Sequence, residues 1–156
     1  MRYADARAAI KTGDVLAWSH RASPFASFYD FQMWIVRLFQ RSEFSHVGIS
    51  VVLAERVFVL ESVSGGIRLM PLSKSLPCYL LPYKPIDLDR AMSVCGEPYS
   101  KFEAIRGWAG STDATNHVWQ CAEFVAWAHQ LPCPSTPSGV VNYLLDQGYS
   151  MTEITE

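Results

Sequence analysis

Ser45-His46-Val47-Gly48-Ile49-Ser50-Val51-Val52-Leu53 and, two residues further on, Arg56-Val57-Phe58-Val59-Leu60-Glu61-Ser62-Val63 make up the stretch from which the fold is read. Both runs are dense in β-branched and apolar residues, and the polar join at Ala54-Glu55 has the length of a tight hairpin turn. With Leu53 opposite Arg56, His46 lies opposite Val63, Glu61 faces Gly48, and Glu61 is the diagonal same-face neighbour of His46. Such neighbours sit roughly 7–8 Å apart at the backbone, within reach of two long side chains, and Gly48 leaves the space between them open. A slip of one residue would put the pair on opposite faces. A carboxylate that accepts a hydrogen bond from one imidazole nitrogen fixes the tautomer and leaves the other nitrogen to act as a base. This arrangement calls for a nucleophile.

The bulk properties bound where to look. A chain of 156 residues is expected to form a single domain over 1–156, with 49% hydrophobic and 18% charged residues, a well-filled globular composition. A net charge of -2 offers no footprint for nucleic acid. The four cysteines, Cys78, Cys95, Cys121 and Cys133, show no Cys-x-x-Cys spacing of the kind that marks zinc or redox pairs, so free thiols and no metal are expected. Met1 to Lys11 is polar and helix-prone with no apolar core of a leader, which predicts cytoplasmic synthesis. That expectation also fits a virion-borne protein or one released at lysis. No run approaches the roughly 20 apolar residues of a transmembrane span.

In chain order, Tyr3 to Lys11 reads as a short helix ended by Thr12-Gly13, and Asp14 to Trp18 as a first strand. From Phe25 to Gln40, Phe28, Phe31, Ile35, Leu38 and Phe39 recur at helical spacing, a stripe that either packs in the core or rims a site for an apolar substrate. Beyond the hairpin, Gly65-Gly66 is read as a tight turn into a strand at Ile67 to Leu72, and Cys78 to Tyr83 as a further strand, about five in all. Pro85 to about Val94 reads as a helix, stopped at Gly96-Glu97-Pro98-Tyr99.

In Trp119-Gln120-Cys121-Ala122-Glu123-Phe124-Val125-Ala126-Trp127-Ala128-His129, residues Cys121, Phe124, Val125 and Ala128 share a helical face. The segment is expected to be a buried helix with Cys121 in its first turn, directed at the sheet. A thiol there meets the positive end of the macrodipole and unpaired N–H groups, which favour thiolate over thiol. A lone cysteine on an apolar face is ordinarily core packing; Cys121 gains weight only in combination with His46 and Glu61. Cys78, Cys95 and Cys133 carry no comparable pairing.

The order of Gly13-Asp14-Val15, Ser45-His46-Val47-Gly48, Glu61, Gly96-Glu97-Pro98-Tyr99 and Cys121-Ala122-Glu123-Phe124-Val125 resembles the circularly permuted NlpC/P60 (papain-like) superfamily, close to its YiiX/YaeF-like group. The resemblance runs from residue 13 to about 146 and includes Thr136-Pro137-Ser138 ahead of Val140 to Leu145. It implies an α+β fold, an antiparallel sheet packed against the helix that carries the cysteine, with Cys121 as nucleophile, His46 as general base and then acid, and Glu61 as the orienting carboxylate. Ala122 stands where the family more often has Ser, and the segment from Ser19 to Phe44 is longer than in some members. Glu123 is expected to support the helix rather than the chemistry.

The implied reaction is acyl transfer: thiolate attacks an amide, ester or thioester carbonyl, His46 protonates the leaving group, and water resolves the acyl-enzyme. It needs no cofactor. The substrate the resemblance implies is the peptide stem of bacterial cell wall or a related amide. A lipid acyltransferase or thioesterase of the same fold, and a non-catalytic binding or virion component, are the alternatives from other classes.

Overall fold

The computed structural model describes residues 1–19, 43–98, 119–132 and 136–156. Its elements are α1 (Tyr3–Ala6), β1 (Val15–Trp18), β2 (His46–Leu53), β3 (Arg56–Val63), β4 (Gly66–Pro71), a 3₁₀ turn (Leu72–Lys74), β5 (Cys78–Leu81), α2 (Leu88–Ser93), α3 (Cys121–His129), α4 (Pro137–Asp146) and β6 (Thr152–Ile154). The strands form one sheet of six in the order β4-β3-β2-β1-β5-β6, with every neighbouring pair antiparallel. The aromatic stripe expected from Phe25 to Gln40 lies outside the described residues.

The central hairpin has the expected register: Leu53 pairs with Arg56, Val52 with Val57 and Ile49 with Leu60. Its turn bends at Ala54 and Glu55, both with positive φ (47° and 62°). Two central residues with positive φ match the right-handed twist of the flanking strands, which is why a two-residue loop suffices even without Asn-Gly.

Alternation along the strands fills two cores. Val15 and Ala17 of β1, Val47, Ile49 and Val51 of β2, and Leu60 of β3 pack with Phe124, Val125, Val140, Val141 and Leu144 of α3 and α4. Leu16, Trp18, Val57 and Val59 turn to the other face and meet Ala6, Ile10, Leu72 and Ile154. The sheet is therefore covered on both sides at its centre, and β1 is buried at all four positions.

The Gly13-Asp14 entry to β1 has a steric and a polar reason. Gly13 has φ +101°, and a Cβ there would lie 2.7 Å from the Lys84 carbonyl oxygen, so no other residue fits without a backbone shift. Asp14 is 3% exposed; its carboxylate accepts the N–H of Lys11 at 2.8 Å and of Tyr83 at 3.0 Å. Burial pushes the Asp14 carboxyl up from its ordinary range, while those two N–H groups pull it back.

Several boundaries differ from expectation. The first helix stops at Ala6, because Asp14 captures the Lys11 N–H in a side-chain turn that competes with continued helix. The β3–β4 turn lies one residue earlier than Gly65-Gly66: Val63 pairs with Gly66. Gly66 (φ +102°) sits where a Cβ would be 2.6 Å from the Glu97 carbonyl oxygen. Leu72 leaves the strand for the 3₁₀ turn. Strand β5 ends at Leu81, since Pro82 has no N–H to pair and the Tyr83 N–H goes to Asp14. Helix α2 begins at Leu88 because Asp87 caps it, accepting the Arg90 N–H at 3.0 Å. Strand β6, not expected from the sequence, joins the free edge of β5.

Replacing Asp14 by Ala strands two N–H groups and should lower stability by about 3 kcal/mol or more, since hydrogen bonds to charged groups are each worth roughly 1.5–3 kcal/mol. A chemical-denaturation midpoint that falls with an unchanged slope is the expected result.

Candidate active site

His46 opens β2 opposite Trp18 on β1, and the two rings lie 5.3 Å apart, tilted by 44°. Glu61 is the third-last residue of β3, on the same face as His46, and only 3% exposed. The imidazole and carboxylate meet as the diagonal pairing requires: His46 Nε2 and Glu61 Oε2 are 2.8 Å apart. Gly48 makes room for this. A Cβ there would lie 2.7 Å from Val59 Cγ2 and 3.4 Å from Glu61 Cβ, so a side chain at 48 would push against the strand that carries the carboxylate.

The third component comes from α3, whose first residue is Cys121. Gln120 is the N-cap and forms a reciprocal capping box with Glu123, which assigns Glu123 the helix-supporting part expected of it. Trp119, just outside the helix, is clamped three ways. Its N–H donates to the Pro98 carbonyl at 3.1 Å, its carbonyl accepts the Ser62 hydroxyl at 2.9 Å, and its indole N–H donates to the Glu97 carboxylate. The Ser62 bond ties the start of α3 to the residue next to Glu61.

The Cys121 thiol is hydrogen-bonded to the His46 ring. Glu61 holds Nε2, so the nitrogen facing sulfur is Nδ1. Two backbone N–H groups, those of Val47 and Ala122, also point at the sulfur. The Val47 group is available for a reason that lies in the sheet. Ser50 donates its N–H to the Asp14 carbonyl on the β1 side, so Val47, three residues earlier, directs its N–H to the β3 side, where the ladder has ended at Ile49–Leu60.

These contacts set the charges. Burial pushes the Cys121 thiol up, but the bond and charge of His46 and the two N–H groups outweigh it and hold the thiol below its ordinary value. Burial pushes His46 down, yet its bonds to Cys121 and Glu61 raise it to about 9. Burial likewise raises Glu61, and His46 and Arg68 together bring it below the usual carboxylate value. The contacts thus favour thiolate, imidazolium and carboxylate over the neutral forms of the three groups.

Arg68 was not among the residues expected from the sequence. It pairs directly across from Glu61 on β4, donating Nε and Nη2 to Glu61 Oε1 at 3.0 and 2.8 Å. The signal was present in the hairpin register: a turn at Ser64-Gly65 puts Arg68 opposite Glu61, whereas a turn at Gly65-Gly66 puts Met70 there.

The other described cysteines and His129 stand apart from this row. Cys78 is buried and its thiol is pushed up to about 12 by burial. Cys95 is exposed and also raised. Cys133 lies outside the described residues. His129, in the last turn of α3, stacks edge-on to Tyr83 and is lowered to about 4 by burial. Among the described residues no three His, Cys, Asp or Glu side chains gather as around a metal ion, and both nitrogens of His46 are already engaged.

No family model matches the chain, and no curated protein matches it in sequence. The fold, an α+β arrangement with a six-stranded antiparallel sheet and packed helices, is shared with a solved structure. That structure is the metalloprotein yiiX from Escherichia coli O157:H7, DUF1105, at a TM-score of 0.51 and 19% identity over 77% of this chain. The match spans 64% of that protein's length. At this identity the likeness is one of fold.

With its thiol lowered by these contacts, Cys121 should react where ordinary thiols do not. At about pH 6, iodoacetamide should modify Cys121 at least ~10-fold faster than Cys78 or Cys95, as peptide mapping of timed samples would read. His46→Ala should slow Cys121 far more at pH 6 than at pH 9. Equal rates for the three cysteines would place Cys121 in the core as an inert residue.

Proposed function

We propose that the protein is a cysteine hydrolase of the amidase or peptidase class, acting through an acyl-enzyme. The observation that carries this reading is the continuous row Cys121–His46–Glu61, in which Nε2 is held 2.8 Å from the carboxylate while the ring's other nitrogen meets the thiol. Cys121 attacks the carbonyl carbon as thiolate, and the electron pair of the C=O bond moves onto oxygen. The backbone N–H of Cys121, at the helix start, is the donor proposed to hold that oxyanion. When the tetrahedral adduct collapses, the His46 imidazolium gives its proton to the departing amine. The neutral ring then takes a proton from water, whose oxygen attacks the thioester and releases the acid and free thiolate. Glu61 holds the ring in the orientation that serves both transfers.

The substrate class proposed is a bacterial cell-wall stem peptide or a related amide. Support for it comes from the motif order and the fold likeness, with the site supplying the chemistry. Incubation with peptidoglycan fragments and, in parallel, with a short-chain acyl thioester distinguishes the amidase from an acyltransferase or thioesterase. Mass spectrometry should find new peptide termini from the first. Products from the thioester alone would move the reading to the lipid class, and products from neither would leave a binding protein.

Cys121→Ala should abolish turnover. Glu61→Gln keeps the shape but loses the charge, and should lower kcat by about 10²–10⁴-fold, less than the cysteine change, because it orients without reacting. Equal activity in wild type and Glu61→Gln would remove Glu61 from the mechanism. The acid limb of kcat/KM reports protonation of the thiolate; since His46 is raised to about 9, its proton is retained below that pH and lost above, so the alkaline limb should fall near pH 9.

A further inference from the structure

Glu61 is a buried carboxylate with two claims on it. Oε2 faces His46 at 2.8 Å, and Oε1 accepts two N–H groups of one guanidinium, Arg68 Nε at 3.0 Å and Nη2 at 2.8 Å. The Arg68 side chain is 52% exposed whereas that of Glu61 is 4% exposed, so the arginine reaches inward from the edge strand of the sheet. Its backbone is fixed by the direct pairing of Glu61 with Arg68 in the β3–β4 ladder.

Two physical consequences follow from that geometry. A carboxylate can rotate about its last bond, which would exchange the oxygen presented to His46; a forked donor on Oε1 removes that freedom. A buried carboxylate with a neutral imidazole as its sole partner would also tend to take up a proton, and protonated it would no longer attract the charge on the ring. Arginine stays charged throughout the working pH range.

We propose that Arg68 is a positioning residue of the active site, which keeps Glu61 ionised and pinned by Oε1 so that Oε2 stays on His46 and the Cys121–His46 ion pair survives into acidic solution. This rests on the reading of Cys121 as nucleophile. The charged groups acting on Glu61 among the described residues are His46 from β2 and Arg68 from β4; Cys121 from α3 acts on it through His46. Both partners lower the Glu61 carboxyl against the effect of burial. Removing Arg68 leaves the protonation of Glu61 opposed by His46 alone. The sign is then fixed: Glu61 takes a proton at higher pH, the ring loses its anionic support there, and the acid limit of the thiolate moves up.

The test uses the rate of Cys121 alkylation by iodoacetamide from about pH 4 to 9 in the full chain, which requires no substrate. Arg68→Met should displace the acid limb upward by about one pH unit, the low end of what an opposite charge at this distance does to a carboxyl. Arg68→Lys, which restores charge without the fork, should recover most of that shift. In a Glu61→Gln background, where no carboxylate remains to ionise, Arg68→Met should leave the limb where Glu61→Gln has put it; a role confined to holding the hairpin together would not vanish in that background. Arg68→Gln, which keeps an amide donor but no charge, gives the same displacement as Arg68→Met and serves if the latter does not fold. Profiles of wild type and the uncharged variants that superimpose, with Cys121 labelled selectively in all of them, overturn the proposal and leave the nucleophile standing. A wild-type Cys121 that reacts no faster than Cys78 and Cys95 overturns both.

Discussion

A carboxylate buried to 3% exposure and shared between an imidazole and a guanidinium is the contact on which the rest of the site depends. An isolated charge in that position would be costly, and the usual escape is protonation. Here three neighbouring strands meet the cost together: β2 brings His46, β4 brings Arg68, and β3 carries Glu61 between them. Stability and chemistry are therefore joined, because the bonds that make burial of Glu61 tolerable also hold His46 toward Cys121.

The helix is placed by a different set of bonds. Trp119 is tied to Pro98, Ser62 and Glu97, and Gln120 and Glu123 cap the first turn. Cys121 follows directly, so its sulfur is set by backbone geometry with little side-chain freedom to lose. The end of the β2–β3 ladder at Ile49–Leu60 releases the Val47 N–H toward it. Where β2 has lost its β3 partner but still pairs with β1, it thus places both the imidazole and a backbone donor beside the sulfur.

Much of this was legible in the chain because it depended on period and order. Strand alternation located β2 and β3 and their register, and placed His46 and Glu61 on one face; helical spacing put Cys121 in a first turn. What was not legible depended on a single residue of turn geometry or on contacts between distant segments. Reading the β3–β4 turn at Gly65-Gly66 hid Arg68, since a shift of this kind changes every facing residue. Strand β6 has three residues, too few for alternation to register, and is made by the available edge of β5. The Val47 N–H has no signature in sequence at all, being a consequence of where a ladder stops.

The central claim is that Cys121 and His46 share one proton as thiolate and imidazolium, with Glu61 supporting the ring. Nitrogen NMR of the ring of His46 across a pH titration of the resting protein reads that state directly, before any substrate is known. The ring should remain protonated through neutral pH and titrate near 9, and in Cys121→Ala its midpoint should fall as one of its two anionic partners is lost. A His46 that titrates at about 6.5, the ordinary value for an imidazole, and ignores the loss of Cys121 would contradict the account.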